Sequence, residues 1–124
     1  MSTHPTFGNG KICYLEIPTT DAHASADFYR DVFGWRVRKN NEGFLSFDDS
    51  VGEVSGSWVT HRKPVADPGV LIHIMVDDAK ETIAKIVTAG GTIVQPIGNA
   101  PEVTATFTDP MGNQFGIYQH RSSK

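Results

Sequence analysis

A single cysteine, Cys13, in a chain of 124 residues excludes an internal disulfide framework, so burial and hydrogen bonding must hold the fold. Long apolar runs are also missing. None reaches the roughly 18 residues that a membrane-spanning helix requires, so no membrane partner is expected. Basic runs go no further than His61-Arg62-Lys63, and fourteen acidic residues against eleven basic ones give a formal net charge of −3. That balance argues against a nucleic-acid surface and favours a small or neutral partner. The first residues, Met1 to Phe7, show no basic region followed by an apolar core, so no secretory signal is expected and the cytoplasm is the expected compartment. What the chain does have is 39% hydrophobic residues, enough for one compact domain with a core and too few residues for two.

It also has a repeat. Asp21 opens a helical pattern that stops at Gly34, and Asp78 opens another that stops at Gly91, both offset by 57 (78 − 21 and 91 − 34). Ala22, Ala26, Tyr29, Val32 and Phe33 recur at helical spacing in the first. In the second, Asp78 and Glu81 have capping-box spacing, and Ile83, Ile86 and Val87 form the expected buried stripe. Short strand patterns surround each helix at residues 11–17, 35–38, 44–47 and 54–61, and again at 70–76, 92–95, 103–108 and 114–119. Each half therefore reads βαβββ. The fold class is α+β, with two tandem βαβββ modules whose curved mixed sheets form a cleft. A single domain over 11–119 is expected, with module one at 11–61, a proline-bearing linker at 62–68 and module two at 69–119; residues 1–10 and 120–124 are tails.

Alternation along the opening strands sorts side chains by face. Cys13, Leu15 and Ile17 should lie under the first helix, leaving Ile12, Tyr14 and Glu16 toward the cleft. Val70, Ile72, Ile74 and Val76 should lie under the second, leaving Leu71, His73 and Met75 on the other side. Glu16 and His73 are related by the repeat (16 + 57 = 73), which would bring an acid and an imidazole together from equivalent strands. They are the candidate catalytic pair. Tyr14, Trp58, His61, Leu71 and Tyr118 are candidate substrate-binding residues, with Trp58 and Tyr118 as apolar walls. Glu16 could instead be salt-bridged to Arg36 or Arg38, and His73 could be a satisfied interior histidine. His4, His23 and His120 read as solvent-facing and Cys13 as a small core residue. Phe28, Tyr29, Phe33 and Trp35 read as packing, and Asp109-Pro-Met-Gly112 as a hairpin turn rather than a phosphate loop, because no helix follows it.

The run Glu16-Ile-Pro-Thr-Thr-Asp21, with Phe28-Tyr29, Phe33-Gly34-Trp35, Val76-Asp-Asp78, Gly90-Gly91, Asp109-Pro-Met-Gly-Asn113 and Phe115-Gly-Ile117, resembles the vicinal oxygen chelate superfamily. That group holds glyoxalase I, extradiol dioxygenases, fosfomycin-resistance enzymes and bleomycin-binding proteins. The resemblance implies paired βαβββ modules and, in the enzymes, a metal held by both. The family's ligand positions fall here at Tyr14, Leu71, Gly116 and, by the same offset, near Val59 (116 − 57), none of them a good ligand. No cofactor is therefore expected. Shifting the register by two gives Glu16, His61, His73 and Tyr118, of which Glu16, His61 and His73 form an alternative set for a divalent metal such as Zn, Fe, Mn or Ni. Three functions follow: a glyoxalase-like protein that binds or transforms a small organic molecule without the usual metal; a metal-dependent lyase or dioxygenase; and a drug-binding protein of the bleomycin-resistance type. The resemblance and the open sheet edges together imply a homodimer.

Overall fold

The computed structural model describes residues 5–119. His4, His120 and the polar tail at 121–124 lie outside them. The order of elements is β1 (Tyr14–Pro18), α1 (Ala22–Phe33), β2 (Arg36–Lys39), β3 (Leu45–Asp48), β4 (Ser55–Val59), β5 (His73–Val76), α2 (Ala79–Thr88), β6 (Thr92–Gln95), β7 (Thr104–Thr108) and β8 (Gln114–Gln119). This is the expected pair of βαβββ modules. They form two compact units that divide between Lys63 and Pro64. Each contains one four-stranded mixed sheet, ordered β1-β4-β3-β2 in the first and β5-β8-β7-β6 in the second. The pairs β1/β4 and β5/β8 are parallel and the rest antiparallel.

Both helices start where the capping pattern says. Asp21 and Asp78 have extended backbones, and their carboxylates accept from Ala24 N at 3.1 Å and Glu81 N at 3.1 Å, satisfying amides that lack helical partners. Gly34 closes α1 at φ 73°, a left-handed conformation that a side chain would oppose. In α2 the buried residues are Ala79, Thr82 and Ile86, whereas Val87 is 56% exposed, so the buried stripe sits one position away from the expected face.

The first module is built around a chain of rings. Tyr29 of α1 stacks on Trp35 at 4.7 Å, Trp35 on Phe47 at 4.5 Å, and Phe47 meets Trp58 at 4.8 Å. Each such pair contributes about 0.5–1.5 kcal/mol beyond the area it buries. Trp58 therefore belongs to the core beneath α1, not to a ligand-facing wall. Trp58 pairs with helix-facing Ile17 and so shares its face; a separate difference lies in which residues of the two halves correspond. Glu16 pairs with Ser57 and Ile17 with Trp58, while His73 pairs with Gly116 and Ile74 with Ile117. The last strands are thus related by 59 (116 − 57), not by 57. The β6–β7 connection spans 96–103 where the β2–β3 turn spans only 40–44, and this extra length carries the later strands out of the simple offset. Ser57, not Val59, is the counterpart of Gly116.

The opening strands are also shorter than their apolar patterns. Ile17 and Val76 are buried under their helices, but Cys13 is exposed and Val70 is 77% exposed, because ladder pairing begins only at Tyr14 and His73. Cys13 is therefore not a core residue. In the second module Ile86, Phe107 and Ile117 are fully buried between α2 and the sheet. The Asp109 turn is latched by its own side chain: Oδ1 accepts from Met111 N and Asn113 N at 2.9 Å, and Oδ2 from Asn113 Nδ2 at 3.0 Å.

Close approach of Phe47 to β4 depends on Gly56, since a Cβ there would collide with the Leu15 carbonyl oxygen and the Phe47 ring. Gly56→Ala is expected to lower stability by about 1–3 kcal/mol through overpacking, read as a reduced urea midpoint at unchanged slope.

Candidate functional site

With the helix on one face of each sheet, the residues of opposite parity share the other face. In the first module they form two cross-strand rows. One runs Glu16, Ser57, Ser46, Arg38, and its neighbour runs Tyr14, Ser55, Asp48, Arg36. Small hydroxyls occupy the centre where an aromatic wall was expected. The Arg38 guanidinium donates Nε to Asp48 Oδ2 and Nη2 to Oδ1, both at 2.9 Å, a bidentate pair, and Ser55 Oγ donates to Asp48 Oδ1 at 2.7 Å. These bonds, the Arg38 one foremost, hold the Asp48 carboxyl below its ordinary range, with the charge of Arg36 acting in the same direction.

Glu16 finds its cation elsewhere. Arg62 Nε donates to Glu16 Oε1 at 2.7 Å, and His61 Nε2 lies 3.8 Å from the same oxygen. The expected partners Arg36 and Arg38 are thus not the ones used. The Arg62 hydrogen bond lowers the Glu16 carboxyl below its ordinary range, with the charges of Arg62 and His61 assisting. His61 lies beyond the end of β4, on the segment that turns away after Val59, and is exposed. Tyr14 is 53% exposed at the start of β1.

In the second module the corresponding row is His73, Gly116, Thr106, Gln95, and the next is Met75, Tyr118, Thr104. His73 lies over Gly116: a Cβ added there would be 2.6 Å from the imidazole Nε2. The missing side chain is what seats the ring. Thr106, in the same row, has a buried Oγ1 with no hydrogen-bond partner among the described residues. Met75 is 66% and Tyr118 36% exposed, a thioether and a phenol side by side; Leu71 is half-buried just before β5. Sequence reasoning missed Ser46, Ser57, Asp48 and Thr106. Strict alternation through β3, β4 and β7, once their registers are known, is the signal that finds them.

A profile of the Glyoxalase/Bleomycin resistance protein/Dioxygenase superfamily matches residues 11–117. The chain belongs to that superfamily. It is 28% identical over 130 aligned residues to CFP32 of Mycobacterium bovis, a glyoxylase by name; the match takes in 96% of this chain and 49% of that protein, so this chain spans about half the length of that relative. Among solved structures, a superfamily enzyme from Burkholderia phytofirmans PsJN is similar at a TM-score of 0.72 and 21% identity, covering 86% of this chain and 95% of the other. TnmS3, an antibiotic binding protein from Streptomyces sp. CB03234, is similar at 0.69 and 23% identity, covering 94% of this chain and all of the other (100%). At these identities the likeness shows the fold, which hosts both enzymes and binders.

The positions at which the family holds a metal do not fit one here. Tyr14, Leu71, Ser57 and Gly116 supply no carboxylate or imidazole, and the room above Gly116 is taken by the His73 ring. Among the described residues no group of three His, Cys, Asp or Glu side chains is arranged to hold a metal ion. No helix among them is long and apolar enough to cross a membrane.

Three outcomes test this geometry. In Arg62→Gln the Glu16 carboxyl should titrate higher, toward its ordinary range, as followed by carboxyl-carbon NMR, while Asp48 stays low. Because Asp48 is depressed in the folded chain, its stabilising contribution is complete above the unfolded-state value and lost as pH falls through the folded one. Arg38→Gln should flatten that acid limb of a stability–pH curve. Separately, Gly116→Ala should displace the His73 ring, seen as shifted imidazole resonances with the other histidines unmoved.

Proposed function

We propose that this protein binds a small organic molecule on the helix-free faces of its sheets, without the metal used by the superfamily's enzymes. The observation that carries this reading is the His73–Gly116 pair. Where the family places a metal-binding glutamate, this chain has no side chain, and an imidazole lies in its place as a hydrogen-bonding group. Glu16, held ionised by Arg62, suits an anchoring acceptor better than a proton donor, because a carboxyl below its ordinary range is a poor general acid at neutral pH. His73 is the side chain on these faces suited to proton transfer. Tyr14, Leu71, Met75 and Tyr118 supply apolar contact, and His61 flanks the Glu16 carboxylate. The likeness to TnmS3 supports binding without turnover as the simpler form of this function. As in the sequence expectation, the chain is proposed to act as a homodimer.

The test is elemental analysis of untagged, dialysed protein, together with ligand screening by thermal shift of wild type, Glu16→Ala and His73→Ala. The expected result is metal well below one equivalent per chain, with ligand-induced stabilisation diminished in both variants. Near-stoichiometric metal lost in both variants would overturn the reading in favour of a metalloenzyme with a displaced ligand set.

A further inference from the structure

The helix-free face of the first sheet carries an imbalance of charge that the overall composition hides. Its two rows and the adjoining Arg62 bring together three guanidinium groups, Arg36, Arg38 and Arg62, and two carboxylates, Glu16 and Asp48. Three against two leaves one positive charge in excess on a chain whose formal net charge is −3. Asp48 accepts through both oxygens and Glu16 through Oε1, but the cations are not exhausted as donors. Arg38 spends Nε and Nη2 on Asp48 and Arg62 spends Nε on Glu16, leaving Nη1 of the first and both terminal nitrogens of the second. Arg36 makes no ion pair among the described residues, although its charge reaches Asp48. Between these cations stand Ser46 and Ser57, half-buried, adjacent in one row, with hydroxyls that make no side-chain hydrogen bond among the described residues.

From these features we infer that the helix-free face of the first sheet recognises an oxyanion on a small organic ligand, a carboxylate or a phosphate, through Arg36, Arg38 and Arg62 with the Ser46 and Ser57 hydroxyls. This rests on the reading of that face as a ligand face and adds the chemical class. An oxyanion takes several donors at once, and planar guanidinium groups beside hydroxyls match its acceptor geometry. The row from Glu16 to Arg38 crosses three strand spacings of about 4.8 Å, so about 14 Å separates its ends, room for a molecule of one or two rings. Serine rather than a bulky residue at the centre lets the anionic group approach the sheet. Because Arg38 and Arg62 are more than half exposed, the attraction is screened, and affinity must fall with added salt.

The test is a titration of the full chain, followed by nitrogen–proton NMR, with benzoate, with phenyl phosphate and with benzamide as the neutral counterpart of benzoate. Both anions should shift the Nε–H signals of Arg36, Arg38 and Arg62 and the amides of Ser46 and Ser57. Benzamide should bind about tenfold more weakly or worse, and Arg36→Gln should weaken the anions by about tenfold. Arg30→Gln, on α1 and paired with Asp27, should leave their binding unchanged. If benzamide moves the same signals with equal affinity, or if Arg36→Gln binds the anions as wild type does, the oxyanion assignment is overturned while small-molecule binding on this face stands. If the anions weaken equally in Arg30→Gln, the attraction is that of the general surface and the assignment is likewise overturned. If no probe moves any signal on either helix-free face, both the assignment and the proposed function fail.

Discussion

Each module has one helix and one four-stranded sheet, and a sheet has two faces. Period-2 alternation then forces every strand to divide its side chains between a helix-covered set and a helix-free set, and the properties of the site follow from that division. In the first module the covered set is aromatic, and the stack from Tyr29 through Trp35 and Phe47 to Trp58 consumes the large rings. What remains for the other face is mostly polar, with serines at its centre. In the second module the covered set is Ile86, Phe107 and Ile117, and the remainder includes His73, Met75, Thr106 and Tyr118. The two helix-free faces therefore differ in chemistry because the two cores made different use of aromatic residues.

The polar groups of the site are organised rather than scattered. Asp48 is held by Arg38 and Ser55, Glu16 by Arg62, and His73 by the shape of the ladder beneath it. Exposed ion pairs of this kind contribute little to stability, so their role is better understood as orientation. Arg62 follows the last strand of its module and reaches back to the first, tying the charge of Glu16 to the end of β4. The absent side chain at Gly116 and the imidazole above it act together in the same sense, since neither position has that geometry without the other.

Much of this was legible in the sequence, and the failures have separate causes. Capping aspartates, terminating glycines and the repeat placed both helices, and the motif set from Glu16-Ile-Pro-Thr-Thr-Asp21 to Asp109-Pro-Met-Gly-Asn113 identified the superfamily that residues 11–117 match. The sides of Glu16 and His73 were also legible, because β1 and β5 precede any change in loop length. The face of Trp58 was not, because it follows from pairing with helix-facing Ile17; the turns, whose lengths differ between the halves, shift by two which residues correspond, without changing their face. Cys13 failed for another reason: an apolar alternation that continues beyond the ladder signals burial that the end of pairing removes. The partners of Glu16 were invisible because Arg62 lies 46 residues away, on a segment that reads as linker.

The parallel pairing of β1 with β4 has a consequence for how the chain is made. A ribosome releases β1 first, but β1 has no neighbour in its sheet until residues 55–59 emerge, and β2 and β3 pair with each other in the interval. Once β4 is out, the first sheet has every strand it will ever use, and none comes from beyond Lys63. The first module can thus close before the second has been translated, so that the β4-facing edge of β1 and the ring cluster above it are withdrawn from other nascent chains early in synthesis, while the outer edge of β1 stays at the border of the sheet.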